Sequence, residues 1–196
     1  MESIGFRLGE SLDIEGRGEF YDTVGAMLDV GQNHVLSMVS SFFVDPAASK
    51  NICGARAEVL KQMNLISTER GQYSGYVDEK NVDANSQTET YFKVELKYEN
   101  EKWNGVRIIL EGGKALSKKR SDIILKFKDG SEYIFDIEQP KNPDAYEVVL
   151  DAAIQGDDSR FVCTDEMMES WRLTDEIKTK MKGVDLKVYE KGWDTK

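Results

Sequence analysis

The chain of 196 residues has little of what usually announces a reaction or a special compartment, with 1 histidine and 2 cysteines. Cys53 and Cys163 lie far apart and without Cys-x-x-Cys spacing, which argues against a structural zinc site or a disulfide framework. Reduced thiols are therefore expected. No apolar run approaches the length needed to span a bilayer, and the start, Met1-Glu2-Ser3-Ile4-Gly5-Phe6, lacks the basic and apolar regions of a secretory leader. These absences point to a soluble, unsecreted, cytoplasmic protein with no membrane partner. Positive charge is scarce too: 26 Lys and Arg stand against 36 Asp and Glu, a net −10, which excludes non-specific attraction to nucleic acid or an anionic membrane. Any anionic ligand must be held by a local basic cluster. The length suits one domain over residues 1–196, which on folding buries roughly 70% of the surface its unfolded chain exposes.

The patterns that are present describe an α+β domain. Residues 4–12 read as an opening strand, and Glu15-Gly16-Arg17-Gly18 is a turn into a helix over about 20–43. Phe20, Val24, Met27, Leu28, Gly31, Val35, Met38, Val39 and Phe42 form its apolar stripe, with Gly31 admitting another element closely. Asp45-Pro46 starts a second helix bearing Ala55, Val59, Leu60 and Met63, which makes a helical hairpin. Residues 70–87 read as an irregular connection, and 91–98 alternate as a strand. Another strand is expected over 103–110, broken by Gly112-Gly113, followed by strands at 123–127 and 133–137 joined as a hairpin through Lys128-Asp129-Gly130-Ser131. Helices are expected over 143–154 and 165–177, the second capped by Thr164, with a short closing strand at 186–189. The expected architecture is a largely antiparallel sheet with helices packed on one face.

Chemistry concentrates in three stretches. His34 sits in Asp29-Val30-Gly31-Gln32-Asn33-His34, a polar interruption of the apolar helix, and histidine is the side chain best matched to proton exchange near neutral pH. Spacing alone favours a plainer account, a partly buried histidine hydrogen-bonded within a helical pair. Asp29 lies five residues before it, about 140° away around an ideal α-helix, too far for the direct carboxylate–imidazole pair that orients a base. The orienting carboxylate must then come from elsewhere in the fold or from another chain. The segment Gly113-Lys114-Ala115-Leu116-Ser117-Lys118-Lys119-Arg120 can hold an anion but lacks the full P-loop pattern, and by composition it reads as a solvated turn whose lysines block edge pairing. Glu10, Asp13, Glu15 and Glu19 gather before the first helix, where acidic charge complements the helix dipole.

Taken together, the run from Glu15 through Phe20-Tyr21-Asp22 to Gln32-Asn33-His34 resembles the C-terminal domain of the glucose-6-phosphate dehydrogenase family. Thr88-Glu89-Thr90-Tyr91, Trp103-Asn104-Gly105-Val106, Gly113-Lys114-Ala115-Leu116, Pro143-Asp144-Ala145-Tyr146-Glu147 and Asp165-Glu166 with Trp171 continue the resemblance in order. It implies an oxidoreductase that passes hydride from C1 of β-D-glucose 6-phosphate to NADP, the first step of the pentose phosphate pathway. It also implies roles: His34 as the base on the C1 hydroxyl, Glu10 and Asp29 as carboxylates on sugar hydroxyls, Lys114 and Lys119 as substrate-contacting cations, and Gln139 as a further sugar contact. Family members place a dinucleotide-binding Rossmann domain before this region, together with an Arg-Ile-Asp-His-Tyr-Leu-Gly-Lys segment that supplies the aspartate orienting the base. Neither is in this sequence, so the coenzyme domain is expected from a separate chain, with homo-oligomerisation as another partnership, and no turnover is expected from this chain alone. Between Pro140 and Pro143 the sequence also skips a stretch that in the family adds strands to the sheet used for dimerisation, and Glu111 replaces a basic residue. The competing reading is a non-catalytic module that binds a sugar phosphate or associates with a dehydrogenase.

Overall fold

The computed structural model describes residues 1–45, 51–137 and 144–195, so Pro46, Gln139 and Pro143 lie outside the described residues. Its strands are β1 (Ser3–Gly9), β2 (Met63–Tyr73), β3 (Tyr91–Tyr98), β4 (Arg107–Gly113), β5 (Arg120–Lys126), β6 (Glu132–Asp136) and β7 (Leu186–Tyr189). They form one sheet in the order β6-β5-β1-β4-β3-β2-β7. Pairing is antiparallel for β6-β5, β5-β1, β4-β3 and β3-β2, and parallel for β1-β4 and β2-β7. The sheet is thus largely but not wholly antiparallel. Strand alternation sends Ile4 and Phe6 of β1, Val94 and Leu96 of β3, and Ile108 and Leu110 of β4 to one face, where all six are fully buried.

That face is covered by helices. α1 (Gly18–Ala26) leads into a wide, π-helical segment (Met27–Val35) and then α2 (Leu36–Phe43), while α3 (Ile52–Lys61) and α5 (Thr164–Met181) pack beside them. Met27, Val35, Leu36 and Val39 meet Val59 and Leu60 of α3 and Leu173 and Ile177 of α5 over the sheet, in one continuous core. A second cluster, built from Tyr21, Tyr73, Tyr76, Tyr91 and Tyr189 with Ile14 and Leu116, fills the end of the sheet where β4 finishes. α4 (Ala145–Gln155) leaves Tyr146, Leu150 and Ile154 largely in solvent, and Tyr133 and Phe135 of β6 are exposed as well.

Several elements depart from the sequence reading for identifiable reasons. The helix expected over 20–43 is broken at Gly25, whose φ of 69° no α-helix accepts. Within the stretch expected to be irregular, Arg70 to Tyr73 complete β2, paired to β3 or β7 or both. The register shift between Leu65 and Ser67 and the charged Glu69 and Arg70 had obscured its alternation. Gly112 and Gly113 do not break the pattern but close β4: a side chain on Gly112 would come within 2.7 Å of the Phe92 ring, so glycine is what lets the strand continue. Trp103 belongs to a 3₁₀ turn (Glu101–Trp103) ahead of β4. α3 begins at Ile52 behind an Asn51 cap, and Cys163, not Thr164, occupies the cap position of α5, with no side-chain capping bond.

The expectation of reduced thiols is overturned: Cys53 and Cys163 form a disulfide. Their separation of 110 residues is irrelevant once α3 packs on α5, which brings the two Cα atoms to 5.9 Å. Closing a loop of 110 residues is worth about 4–5 kcal/mol in the chain-entropy model. Urea unfolding with and without a dithiol reductant is therefore expected to show a loss of about 2–5 kcal/mol on reduction. Coincident unfolding curves would refute a stabilising bond.

Candidate functional site

Two strands that run parallel finish side by side. Gly9 of β1 pairs with Gly113 of β4, so the next residues, Glu10 and Lys114, leave the sheet together. The Glu10 amide donates to the Gly113 carbonyl at 2.9 Å, and Lys114 Nζ reaches Glu10 Oε1 at 2.8 Å. Asp29 Oδ2 approaches the same ammonium at 3.3 Å, and the Tyr21 ring lies 5.8 Å from it. The Lys114 side chain is only 3% exposed, against 42% for Glu10 and 21% for Asp29. Ala115 follows in the left-handed region at φ 53°, a turn held by its amide on the Leu12 carbonyl at 2.8 Å.

Asp29 and His34 form no direct pair, as their spacing implied, and Asp29 turns to Lys114 instead; the helical pitch assumed for them is, however, not the one the chain adopts. Both lie in the π-helical segment, where the hydrogen-bond repeat is i→i+5; the Leu36 amide, for example, donates to the Gly31 carbonyl. A five-residue spacing is then close to one turn, and Asp29 and His34 line one cleft of about 1120 Å³. Glu10, Lys114 and Lys119 line it too. The plainer account of His34 as a half-buried, satisfied histidine does not hold, because its side chain is exposed and has no hydrogen-bond or ion-pair partner among the described residues. Five of the six residues singled out from sequence are thus brought together, and Gln139 lies outside the described residues.

The basic stretch is a solvated turn only in its middle, where Ser117, Lys118 and Lys119 are exposed. Lys114 is buried, Lys119 lines the cleft, and Arg120 is anchored by Nη1 donating to the Thr195 carbonyl at 2.7 Å and by an ion pair with Asp194. The acidic stretch does more than serve a helix dipole: Glu10 holds Lys114, and Asp13 accepts from Lys191 at 2.7 Å, a hydrogen bond that lowers the Asp13 pKa. Arg17, Asn33 and Arg120 also line the cleft and had not been assigned to it. Asn33 lay in the same polar interruption as His34, and Arg17 in the same turn as Gly16 and Gly18. These residues offer carboxylates and cations for a polyhydroxylated anion, and an imidazole able to take a proton.

A dinucleotide cradle is a different matter. The passage from β1 to α1 places Gly16 before the helix and Gly18 at its first position, as a pyrophosphate turn requires. The space above Gly18 is taken, however, since a Cβ there would lie 2.2 Å from the Lys80 carbonyl oxygen. A pyrophosphate therefore cannot approach the backbone at Gly18. Among the described residues there is also no group of three or more His, Cys, Asp or Glu side chains able to hold a metal ion, and no helix long and apolar enough to cross a membrane.

Removing the ammonium tests the triad. Lys114→Ala leaves two carboxylates facing each other, and because both reach solvent the cost should be about 1–3 kcal/mol, below that of a fully buried pair. Denaturant unfolding checks it, and an unchanged stability would mean that Lys114 is not held as described.

The family described as glucose-6-phosphate dehydrogenase, C-terminal domain, matches residues 1–142 and 133–195. A glucose-6-phosphate 1-dehydrogenase of Borreliella burgdorferi is 28% identical over 245 aligned residues, covering 91% of this chain and 51% of the relative. That alignment is longer than the chain, and the two family matches overlap near residue 140, in keeping with a stretch skipped there. The crystal structure of glucose-6-phosphate 1-dehydrogenase from Mycobacterium avium superposes with a TM-score of 0.83 at 28% identity, over 98% of this chain and 52% of that one. A glucose-6-phosphate dehydrogenase solved in complex with its substrate shares the fold, with a TM-score of 0.85 at 24% identity over 100% of this chain and 53% of that one. The chain spans about half the length of the curated relative it matches over 91% of its own residues. On the family match across nearly all of its residues, the chain belongs to the glucose-6-phosphate dehydrogenase family, as a C-terminal domain.

Proposed function

We propose that this chain is the substrate-binding and base-carrying part of an NADP-dependent glucose-6-phosphate 1-dehydrogenase, acting in the cytoplasm. The observation that carries the reading is convergence. Glu10, Asp29, His34, Lys114 and Lys119 come from three separated stretches and line one cleft. As C1 of β-D-glucose 6-phosphate is oxidised, its hydroxyl proton must leave, and the exposed His34 imidazole takes it. Glu10 and Asp29 accept hydrogen bonds from sugar hydroxyls and so aim C1. Lys114 with its two carboxylates carries a formal charge of about −1, which repels a phosphate but suits hydroxyls that both donate and accept. The phosphate is accordingly directed to cations outside this triad, among them Lys119, and Gln139 adds a sugar contact.

When bound, NADP would supply the hydride acceptor. A separate coenzyme-domain segment holds it and supplies the carboxylate that orients His34. Apolar side chains left in solvent along β6 and α4 support association with a second protein, either that domain or another copy of this chain. A second reading, a module that binds sugar phosphate without turnover, is favoured by the unpartnered His34.

Calorimetric titration with glucose 6-phosphate should show binding by the chain alone. With a separately supplied coenzyme domain, NADPH absorbance at 340 nm should then report turnover, and His34→Asn should lower that rate by about 10²–10⁴-fold. No binding sinks the proposal, whereas binding without turnover in the reconstituted pair favours the non-catalytic reading.

A further inference from the structure

The helical segment that carries Asp29 and His34 begins abruptly, and its start is set from another part of the chain. At Gly25 the backbone turns to φ 69° and ψ 173°, and the next two amides leave without helical partners. Both are met by one residue. The Ala26 amide donates to the Glu89 carbonyl at 2.9 Å, and the Met27 amide to Glu89 Oε1 at 3.1 Å. Glu89 is 9% exposed and precedes Thr90, whose amide donates to the Gly71 carbonyl at 2.8 Å and whose Oγ1 accepts from the Tyr73 amide at 2.9 Å. The capping group is therefore fixed to the sheet on β2. Gly25 and Glu89 also fit each other in space: a Cβ on Gly25 would stand 2.5 Å from Glu89 Oε1.

The geometry points to Glu89 as a positioning residue: by capping Ala26 and Met27 it fixes where the wide helical turns begin, and so where Asp29 and His34 stand over the cleft. That consequence for ligand binding rests on the function proposed above. An α-helix started one residue earlier or later, or wound with the ordinary repeat, would part Asp29 from His34 by about 140°. The wide turns leave a gap at Gly31 that Met27 and Phe92 occupy, a hypothetical Cβ there meeting Met27 Sδ at 2.7 Å and Phe92 Cζ at 3.0 Å. Met27 is thus held at both ends, by Glu89 on its amide and by packing on its side chain.

Burial raises the Glu89 pKa above the usual carboxylate range, while Lys178 of α5 and Arg70 of β2 oppose that shift. Burial, helped by the charge of Glu89, also raises the pKa of Tyr21 and of Tyr76, whose hydroxyl donates to Asp22 Oδ1 at 2.9 Å. Because the folded pKa is raised, the contribution of Glu89 to stability is full below its unfolded pKa near 4.5 and is lost as pH rises through the folded value. Glu89→Gln keeps an acceptor for the Met27 amide without the ionisation, so its melting temperature should exceed that of the natural chain at pH 7 and match it near pH 4.

The single histidine makes the test direct, since one imidazole ring resonance reports the site. In Glu89→Gln, that resonance and the hydrogen-exchange protection of amides 27–31 should stay as in the natural chain. In Glu89→Ala the resonance should move and those amides should exchange roughly 5–10-fold faster, the effect of losing a cap. Glu89→Asp, one methylene too short to reach Met27, should behave as the alanine variant does and serves if that variant fails to fold. A mild core substitution away from this helix, Ile124→Val on β5, should leave the histidine resonance in place. The inference is overturned if the shortened variants leave His34 and the amides unchanged, if Glu89→Gln behaves like them, or if Ile124→Val moves the resonance equally. These readouts need no ligand. Failure of the natural chain to bind glucose 6-phosphate would remove the proposed function while leaving the placement of His34 by Glu89 standing on its own evidence.

Discussion

The parallel register of β1 on β4 is the constraint on which the site depends. Glu10 and Lys114 are 104 residues apart, and only the pairing of Gly9 with Gly113 makes them neighbours. A slip of one residue would turn every side chain of β1 to the other face, taking Ile4 and Phe6 out of the core. The hydrophobic effect that buries those two residues therefore also specifies a salt bridge at the strand ends. Parallel strands present their carboxyl ends together, and in α/β sheets ligands collect outside such ends. Here a local parallel pair inside a mostly antiparallel sheet gives the same opportunity.

Electrostatics then sets what can enter. The protein is acidic, at −10, yet its cleft gathers Arg17, Lys114, Lys119 and Arg120. They are not equivalent. Lys114 gave up hydration and is held by two carboxylates, while Arg120 is tied to Thr195 and Asp194 near the carboxyl end of the chain. Local pairing, not the count of lysines in the stretch, determines how much charge each offers to a ligand.

Much of this was legible in the residues. Resemblance carried the five cleft residues, because short motifs quoted in order keep their positions when the spacing between them changes. The β5–β6 hairpin was readable from Asp129-Gly130, whose turn chemistry is local. What was not legible depends on contacts distant in sequence. The end of β2 lacks clean alternation and exists because β3 and β7 pair along it. The cysteine pair follows from helix packing, which no spacing rule contains. Gly25 has no role readable from its neighbours, since the carboxylate that needs its space stands 64 residues later.

The wide turns from Met27 to Val35 show why the local rule failed at the site in particular. Helix periodicity was read at 3.6 residues per turn, and at that pitch Val30 and Val35 would not share the face they share in burial. With an i→i+5 repeat they do, as Asp29 and His34 do on the neighbouring face. A π-helical stretch is a poorer backbone choice than an α-helix, so something must offset it. The offset is tertiary: buried Met27, Val30 and Val35 keep their core contacts, and Phe92 closes against Gly31. A propensity argument sees the cost and not the compensation, and it therefore misplaces the polar residues wherever the core has bent the helix to serve the cleft.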